Sequence, residues 1–340
     1  MTPRFLKAAL AATLAAPLAA SLANGPARAE LAEITLGQQF GAIFIPLMAM
    51  ENLKLIEKHA TAQGLPDIKT NWVRLAGPSA LVDGIISGNV HFSAQGVPSL
   101  AIMWDKTKGG VGVKAAGAIT NSEIYLNTRN PNIKSIKDFT EKDRIALPSV
   151  RSTTQAIMLQ IAAEKEWGAG QHGKLDHLTV GLSHPDALAS VLNPQGEINT
   201  HFATSPFHEA EMKAGLRTVT TAYKIMDGAT TNLVFVTTDK FRSENPKLYA
   251  ATLAALDEAM AWTNADKRRA AKLYIELTKE KKLSEDEILA IISGEGFDFT
   301  TTPKKVGAFT QFMAKIGSLK TKPESWKDLF FPEAHGLKGD

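Results

Sequence analysis

The amino-acid sequence predicts an α/β protein built from two units of similar organisation. Three strand-to-helix junctions occur between Glu33 and Ile119, and such alternation is typical of an α/β domain with a mainly parallel sheet. The alternation continues from Ile133 to Thr238, and the chain turns almost wholly helical after Asn245-Pro246. A length of 340 residues suggests two domains or lobes.

The elements of the first unit follow from two periodicities. Apolar residues at every second position indicate strands, and apolar residues at helical spacing indicate helices. Small or polar residues mark the junctions at Gln38 to Gly41, Gly77-Pro78-Ser79 and Gln95 to Ser99. The predicted strands are 34–37, 68–75, 91–94 and 113–119, and the predicted helices are 44–55, 80–86 and 100–104.

The second unit and the C-terminal part follow from the same patterns. The predicted strands are 144–147, 177–181, 198–203, 217–220 and 232–238, and the predicted helices are 135–139, 153–167, 185–192, 206–214, 247–263, 267–279, 285–292 and 303–316. The tail with Trp326, Phe330 and Phe331 is predicted to be an irregular, docked segment. Because no flexible linker separates the units, we expect two lobes that share a rigid cleft.

The N-terminus has the organisation of a cleavable secretory signal. Arg4 and Lys7 precede an Ala/Leu-rich stretch, and small residues flank a cleavage point at Ala27-Arg28-Ala29. The alternative, a membrane-spanning helix, needs about 20 consecutive apolar residues, and Pro17 interrupts the stretch. We therefore expect a signal peptide at 1–29 and a mature protein that is soluble in the periplasm.

Removal of the signal also removes the apparent basic bias of the chain. The full sequence has 38 basic and 35 acidic residues, and the three basic residues within 1–29 leave 35 of each sign. The two signs are interspersed without a basic stripe, which excludes a nucleic-acid binder. No further apolar run is long enough to predict a membrane span.

The sequence lacks the residues of common catalytic and metal sites. It contains no cysteine, which excludes disulfides, thiolate metal sites and a cysteine nucleophile. It also contains no Gly-x-Ser-x-Gly elbow, no phosphate-binding loop and no dinucleotide fingerprint. The sequence is therefore poor in signals for enzyme chemistry, and we expect neither a cofactor nor an enzyme activity.

The segment from Pro148 to Gln155 is the strongest candidate for ligand binding. It places Arg151 and the hydroxyls of Ser152 and Thr153 between a predicted strand and a predicted helix. A guanidinium, hydroxyls and the free N–H groups of a helix N-terminus together suit an anionic group. The alternative is ordinary N-capping by Ser152 or Thr153, with Arg151 solvated at the surface.

The histidines are clustered, but not at the spacing of a metal site. His172, His177, His184, His201 and His208 fall within 37 residues and lack the paired spacing of a zinc motif, so no metal is predicted. His201, at the end of a predicted strand, is a candidate hydrogen-bond donor in the cleft. The alternative is a core imidazole whose hydrogen bonds are satisfied within the protein.

Several short segments occur in an order that is characteristic as a set. They are Phe44 to Glu51, Ala80 to Val90, Gln95 to Pro98, Ile133 to Phe139, Ile145 to Ser149, His184 to Ala187, and Asn245-Pro246 before Ala254 to Trp262. Together they resemble the periplasmic substrate-binding proteins of ABC importers for nitrate, sulfonate, taurine and thiamine-pyrimidine precursors. The resemblance covers essentially the whole mature chain, and its specificity lies in the order of the segments.

The resemblance implies a two-lobe periplasmic-binding-protein fold of type II, the Venus flytrap, with a ligand cleft between the lobes. Lobe one would comprise 30–124 and 231–340, and lobe two 125–230. The implied function is capture of a small organic anion, such as a sulfonate, a carboxylate or nitrate, by lobe closure. The partners would be a membrane permease and its cytoplasmic ATPase, and we expect a monomer.

The loops that line the cleft in the resembled family fall on the junctions described above. Many relatives have Gly-Ser-Thr at the turn of lobe two, where this chain has Val150-Arg151-Ser152-Thr153, so a larger carboxylate or sulfonate would pair with Arg151. The predicted ligand-binding residues are Gln38, Gln39, Phe40, Gly41, Ala42, Gly77, Pro78, Ser79, Ala80, Gly96, Val97, Arg151, Ser152, Thr153, Thr154 and His201.

Two other functions stay open on the same scaffold. One is a pyrimidine-precursor binding protein or a related pyrimidine-synthesising enzyme. The enzymes of that kind act in the cytoplasm with a cysteine-containing iron site, so the export signal and the absence of cysteine argue against the enzyme. The other is a sensor subunit that reports its ligand state to a membrane receptor.

Overall fold

The computed structural model describes residues 29–75 and 77–340. Within these residues the chain forms two β-sheets with helices packed against them, which confirms the predicted α/β class. The predicted signal peptide lies outside the described residues except for its last position, Ala29. None of the described helices combines the length and apolar character needed to cross a bilayer.

The strands alternate with helices along most of the chain. The strands are β1 (Glu33–Gln38), β2 (Lys69–Arg74), β3 (Phe92–Gln95), β4 (Val113–Ser122), β5 (Tyr125–Thr128), β6 (Ile145–Leu147), β7 (Thr179–Gly181), β8 (Thr200–Ala203), β9 (Arg217–Thr221), β10 (Thr231–Thr238) and β11 (Phe297–Phe299). The first sheet has the order β11-β4-β10-β3-β1-β2, and the second has the order β7-β6-β8-β5-β9.

The helices fill the connections between strands and most of the C-terminal part. They are α1 (Ile45–Asn52), α2 (Leu55–Ala62), α3 (Pro78–Ser87), α4 (Val97–Thr107), α5 (Thr154–Trp167), α6 (His184–Leu192), α7 (Phe207–Lys213), α8 (Ala222–Met226), α9 (Asp239–Glu244), α10 (Pro246–Ala265), α11 (Lys267–Thr278), α12 (Glu285–Ser293) and α13 (Val306–Lys315). Short 3-10 helices add Ala42–Phe44, Ile136–Asp138, His172–Leu178, Trp326–Leu329 and Pro332–Ala334.

The chain passes between the two sheets twice. It leaves the first sheet after β4 and enters the second at β5, and it returns from β9 to β10. We propose these crossings as the lobe boundaries, and we call residues 29–124 and 231–340 the first lobe and residues 125–230 the second lobe.

The prediction of a mainly parallel sheet is wrong, because both sheets are mixed. In the first sheet β1 runs parallel to β2 and β3, whereas β10 runs antiparallel to both β3 and β4. Strand β10, by which the chain returns from the second sheet, lies between β3 and β4 and runs opposite to both. In the second sheet β5 is likewise antiparallel to β8 and β9. The crossover strands therefore account for the antiparallel pairs at the centre of each sheet.

The first sheet is buried on both faces. Val234 and Val236 of β10 belong to one apolar cluster, and Leu233 and Phe235 belong to another. Because successive side chains of a strand point to opposite faces, the two clusters lie on the two sides of the sheet. The first cluster also contains residues of α5 in the second lobe, so apolar packing continues from one lobe into the other.

The structure confirms most predicted elements and corrects a few. The predicted helix 44–55 is broken into α1 and α2 at Lys54, which adopts a left-handed conformation with φ 50°. The sequence patterns do not predict the strands β5 and β11. These strands are only four and three residues long and are defined by long-range pairing. The C-terminal tail is docked as predicted, with Phe330 and Phe331 buried and the Phe331 N–H donating to Ala115 O at 2.9 Å.

Candidate functional site

A cavity of about 40 Å³ lies between the two lobes where several helices begin. Its volume leaves room for only a few water molecules. The lining residues come from both lobes and are Gln39, Phe40, Ile43, Phe44, Pro78, Gly96, Ser99, Pro148, Thr153, Thr154, Gln155, His184, Thr204, Asn232 and Leu233.

The first turns of four helices contribute to this cavity. Pro78 begins α3, Gly96 is the N-cap of α4, Thr154 begins α5 and His184 begins α6. The first N–H groups of a helix have no partner inside the helix, and the helix dipole places positive partial charge there. The cavity therefore lies at the positive ends of helices from both lobes.

Helix α5 presents the free N–H groups of its first turn to the cavity. The helices α3, α4 and α6 each have a proline in the first turn, which removes a donor. In α5 the Thr153 hydroxyl caps the Ala156 N–H at 3.2 Å, and the Thr153 carbonyl accepts from Ile157 at 3.0 Å. The N–H groups of Thr154 and Gln155 precede these and point out of the helix end.

Two buried hydroxyls in the cavity wall lack a hydrogen-bond partner within the described residues. They are Thr154 Oγ1 and Thr204 Oγ1, on residues that are 2% and 0% exposed. A buried polar group without a partner is costly and calls for an explanation. Because one hydroxyl comes from each of two different elements of the second lobe and both line the cavity, a bound polar ligand would satisfy them.

The lining of the cavity contains no Lys, Arg, Asp or Glu. Its titratable residue is His184, and burial together with the neighbouring His201 lowers the pKa of His184 well below the usual histidine value. The ring is therefore neutral at physiological pH. A ligand in this cavity would meet hydroxyls, amides, a neutral imidazole and helix N-termini, and would meet no carboxylate.

A chain of hydrogen bonds leads from the cavity into the core of the second lobe. Gln155 Nε2 lies 3.4 Å from His184 Nε2, and His184 Nδ1 lies 2.8 Å from His201 Nε2. His201 Nδ1 in turn lies 2.5 Å from Glu211 Oε1. His201 and Glu211 are both completely buried. Burial lowers the pKa of His201 to about 3 and raises the pKa of Glu211 to about 8, so both groups are neutral near pH 7.

The inner end of this chain is fixed by further hydrogen bonds. Asn127 Nδ2 donates to Glu211 Oε2 at 2.7 Å and lies 3.0 Å from His208 Nδ1. The Thr218 hydroxyl donates to Asn127 Oδ1 at 2.8 Å, which sets the orientation of the amide. The His208 ring stacks on Tyr125 with centroids 3.6 Å apart. The Glu211 carboxyl is thus held on both oxygens.

The lobes touch directly across the cleft. Ala42 N–H donates to Ser205 O at 3.2 Å, and the Ser99 hydroxyl donates to Ser152 O at 3.0 Å. Ser79 Oγ and Ser149 Oγ lie 3.0 Å apart. These bonds join the loops of the first lobe to the turns of the second lobe, so the structure is a closed arrangement.

Two glycines make this close approach possible. A Cβ atom on Gly96 would lie 2.4 Å from Thr154 Oγ1, and a Cβ atom on Gly77 would lie 3.2 Å from the carbonyl oxygen of Pro148. Both neighbours belong to the second lobe. The absence of a side chain at these positions therefore lets the backbones of the two lobes meet.

A second, larger cavity of about 480 Å³ adjoins the first and shares Gln39 and Phe40 with it. Its apolar wall includes Met48 and Tyr274 of the first lobe and Phe207 of the second lobe. Its basic residues are Arg74, Lys279, Lys281 and Lys282, and its lining also includes Gly41, Pro185, Leu188, Leu277, Thr278 and Glu280. This outer cavity therefore combines an apolar wall with an excess of positive charge.

The structure brings part of the predicted site together. The predicted residues that line the inner cavity are Gln39, Phe40, Pro78, Gly96, Thr153 and Thr154, and Gly41 lines the outer cavity. The predicted residues that bond or approach the other lobe are Ala42, Gly77, Ser79 and Ser152. Gln38 is buried beside Glu51, at 2.8 Å, while Ala80 and Val97 line neither cavity.

Arg151 and His201 lie outside both cavities. Arg151 is exposed, with φ 66°, in the turn that precedes the cap of α5. Pro148 and Thr153, on either side of Arg151 in the chain, line the inner cavity, whereas Arg151 does not. His201 is a core imidazole whose two ring nitrogens face His184 and Glu211. Neither side chain lines a cavity in this structure, and a contact of either residue with a ligand stays a prediction.

Nine residues that line the inner cavity were not among the predicted ligand-binding residues, and they are Ile43, Phe44, Ser99, Pro148, Gln155, His184, Thr204, Asn232 and Leu233. Gln155 and Ser99 stand inside the junction segments and are simply the next polar residues along the chain. His184 begins α6, a junction of the same kind as the others. Asn232 lies on the returning strand β10, and no local pattern marks it because the strand reaches the cavity only through the crossover.

A scan against protein-family models found no match, and a search of curated proteins also found none. Solved structures do match. The alkanesulfonate-binding protein SsuA from Xanthomonas axonopodis pv. citri, bound to MOPS, has a TM-score of 0.66 at 14% identity, covering 86% of this chain and 96% of that one. The periplasmic nitrate-binding protein NrtA from Synechocystis PCC 6803 has a TM-score of 0.66 at 15% identity, covering 89% and 87%.

A third match comes from a protein of Candida albicans described as exhibiting the generic periplasmic binding protein fold. Its TM-score is 0.65 at 12% identity, and the match covers 88% of this chain and 96% of that one. The three matches extend over nearly the whole described chain, and both sheets take part. The protein therefore has the two-lobe fold of the periplasmic binding proteins.

Proposed function

We propose that this protein is an extracytoplasmic solute-binding protein that captures a small organic anion between its lobes and delivers it to an ABC permease. The observation that carries the proposal is the inner cavity, where free helix N-terminal N–H groups meet the unpartnered hydroxyls of Thr154 and Thr204. Hydroxyls and helix N-termini bind an anion without a charged side chain. The matching sulfonate- and nitrate-binding proteins support this ligand class.

The absence of an acidic residue from the inner lining argues against a cationic ligand. An ammonium group in this cavity would lose its hydration and find no carboxylate in exchange. A sulfonate, carboxylate or nitrate would instead find donors from α5 and from the threonine hydroxyls. Arg151 has no part in this placement.

The outer cavity supports an organic rather than a purely inorganic anion. The inner cavity is too small for a long molecule, but it adjoins the apolar wall formed by Met48, Phe207 and Tyr274. A ligand with an acidic head at α5 and an apolar body would use both spaces. The basic residues around the outer cavity would favour the approach of an anion.

The experiment is a thermal-shift and calorimetric screen of the mature protein against methanesulfonate, taurine, MOPS, acetate, nitrate and a set of pyrimidines. The variant Thr154→Val keeps the size of the side chain and removes its hydroxyl. We expect an anion to bind to the wild type and to bind about tenfold more weakly, or weaker still, to this variant, which corresponds to about 1.4 kcal/mol or more.

The matched control is Thr263→Val. Thr263 is buried in α10, and its hydroxyl donates to Ala259 O at 2.7 Å inside the helix, so its removal should leave the affinity unchanged. Absence of binding by every anion, or equal affinity of the wild type and Thr154→Val, would refute the proposed placement of the anion.

The second candidate ligand is a planar pyrimidine. The amides of Gln39, Gln155 and Asn232 and the rings of Phe40 and Phe44 surround the inner cavity, and amides beside aromatic rings suit a heterocycle. Binding of a pyrimidine in place of the anions would favour this candidate. Genes for a permease and an ATPase beside this one would favour import, and a histidine-kinase gene would favour sensing.

A further inference from the structure

The hydrogen-bond chain behind the cavity can run in either of two directions. It joins Gln155, His184, His201 and Glu211 through contacts of 3.4, 2.8 and 2.5 Å. A neutral imidazole has one nitrogen that donates and one that accepts. Because both ring nitrogens of His201 and Nδ1 of His184 are engaged, the role of one nitrogen determines the role of the next.

When Glu211 carries its proton, the chain runs toward the cavity. The Glu211 hydroxyl donates to His201 Nδ1, His201 Nε2–H donates to His184 Nδ1, and His184 keeps its remaining hydrogen on Nε2. In the structure Gln155 Nε2 lies 3.4 Å from His184 Nε2. When His184 Nε2 carries hydrogen, the Gln155 amide turns over, so that its carbonyl oxygen accepts from Nε2–H and its NH₂ group faces the cavity. The wall of the cavity thus presents a donor.

When Glu211 is ionised, every bond of the chain reverses. His201 Nδ1–H donates to the carboxylate, His184 Nδ1–H donates to His201 Nε2, and His184 Nε2 is left with a lone pair. The NH₂ group of Gln155 then donates to that lone pair, which is the side of the amide that faces His184 in the structure, and the amide oxygen faces the cavity. An acceptor at this point repels an anion.

We propose that Glu211 and His201 are positioning residues that set the polarity of His184 and Gln155 in the cavity, so that binding of an anion is coupled to the proton on Glu211. This inference rests on the proposed function, since it concerns the same cavity and the same class of ligand. It adds the residues that determine whether the cavity accepts an anion.

Burial supports the protonated form of the chain near neutral pH. Burial raises the pKa of Glu211 to about 8 and lowers the pKa of His201 to about 3. The histidine rings are therefore neutral, as the chain requires, while Glu211 loses its proton only in mildly alkaline solution. Retention of a proton by a buried carboxyl so that it donates a hydrogen bond is an established use of burial.

The other titratable groups packed around Glu211 are His208, Tyr125 and Glu209. Burial lowers the pKa of His208 to about 4 and raises the pKa of Tyr125 to about 12. The remaining neighbour is Glu209 on the same helix, whose pKa is raised by burial and whose Oε1 accepts from the Ser205 hydroxyl at 2.8 Å. Glu209 makes no hydrogen bond to the chain, but its charge repels that of Glu211, so Glu209→Gln is the control for this repulsion.

The test uses calorimetric titration of the mature protein with methanesulfonate and with nitrate from pH 6 to pH 9, in buffers of different ionisation enthalpy. Both anions stay ionised over this range, so any change in affinity comes from the protein. We expect constant affinity below pH 7 and a fall that approaches tenfold per pH unit above pH 8. Proton uptake on binding should be near zero at pH 6 and approach one at pH 9.

The variant Glu211→Gln holds the chain in the donating direction. Its amide NH₂ donates to His201 Nδ1, and its amide oxygen accepts from Asn127. We expect it to bind both anions at pH 9 within about twofold of the wild type at pH 6, without proton uptake. The control Glu209→Gln should still lose affinity as the pH rises, because Glu211 keeps its carboxyl. Equal pH dependence of Glu211→Gln and the wild type, or pH-independent binding by the wild type, would overturn the proposal.

A measurement without ligand separates this proposal from the proposed function. Nitrogen-15 spectra of the histidine rings report which nitrogen carries hydrogen. We expect His184 and His201 to carry hydrogen on Nε2 at pH 6 and on Nδ1 at pH 9 in the wild type. If no anion binds but the tautomers switch, the polarity relay stands and the anion function fails. If an anion binds at the cleft but the tautomers do not switch, the relay is wrong and the function stands.

Discussion

Burial in the second lobe changes the charge states of single residues in this protein. Glu211 and His201 face each other at 2.5 Å without any exposed surface, and burial disfavours the charged form of each group. The pair is therefore neutral and lacks the attraction of an ion pair. Its contribution to the stability of the protein then depends on pH in a defined direction.

We expect the Glu211 carboxyl to make the folded protein less stable as the pH rises. The pKa of Glu211 is about 8 in the folded protein and near 4.5 in the unfolded chain, so the folded state holds an extra proton between these values. Its contribution is fully present below about pH 4.5 and is lost as the pH rises through 8, by up to about 1.4 kcal/mol per pH unit.

Urea unfolding of the wild type and Glu211→Gln from pH 5 to pH 9 measures this effect. The difference between the two free energies of unfolding should change with that slope, because the amide does not titrate. His201 and His208 affect the free energy of unfolding at acidic pH, because their pKa values of about 3 and 4 lie below the ordinary 6.5. The stability that their neutral rings contribute is lost as the pH falls below 6.5. A constant difference between the two proteins across the range would contradict the raised pKa of Glu211.

The break between helices α1 and α2 is not set by a local sequence signal. The apolar pattern from Phe44 to Leu55 predicts one helix, yet the structure has α1 and α2 with Lys54 between them at φ 50°. A left-handed conformation is unfavourable for a residue with a side chain. Packing of α1 and α2 against α10 stabilises this break. No turn-forming residue at this position predicts it from the sequence.

We expect Lys54→Gly to stabilise the protein by about 0.5–1 kcal/mol. Glycine removes the strain of the left-handed conformation, and the greater freedom of the unfolded chain offsets part of the gain. Thermal and urea unfolding would measure the change. The matched control is Lys54→Ala, which removes the ammonium group but keeps a Cβ atom, and its stability should lie within about 0.5 kcal/mol of the wild type. Equal stability of the glycine and alanine variants would show that the backbone at this position is not strained.

At the scale of the whole molecule, affinity for a ligand depends on the contact between the two lobes. The bonds from Ala42 to Ser205 and from Ser99 to Ser152 close the cleft, and the partly exposed ion pair of Lys315 with Glu164, at 2.6 Å, also joins the lobes. Closure buries the inner cavity, and a ligand bound there favours the closed state over the open one. Residues at the contact therefore control affinity without touching the ligand.

We expect Gly96→Ala to hold the lobes apart and to weaken binding of methanesulfonate. The new Cβ atom would lie 2.4 Å from Thr154 Oγ1, and overpacking of this kind costs about 1–3 kcal/mol, equivalent to a loss of affinity of roughly 5- to 150-fold. Small-angle scattering at saturating methanesulfonate should show a larger radius of gyration than for the wild type.

Two further variants identify the cause. Thr154→Ala combined with Gly96→Ala removes the obstructing hydroxyl and should restore the compact form in scattering. Gly181→Ala is the control, because a Cβ atom there would meet nothing within 4 Å, and it should scatter like the wild type. An unchanged radius of gyration in Gly96→Ala would mean that Thr154 changes rotamer and that the cleft still closes.

The sequence by itself determined the α/β class, the positions of the strand-to-helix junctions, and the glycines and threonines that stand at them. These features depend on periodicity and on capping, which act over a few residues. They located Gly96, Thr153 and Thr154, and with them the edge of both lobes where the cavity lies.

Only the tertiary structure decided which of these side chains meet. The returning strand β10 makes the first sheet mixed and brings Asn232 to the cavity, Arg151 lies outside it, and folding of the second lobe joins His184 to His201 and Glu211. These contacts link residues far apart in the chain, and their energies come from burial and long-range pairing. No pattern confined to a few neighbouring residues contains that information.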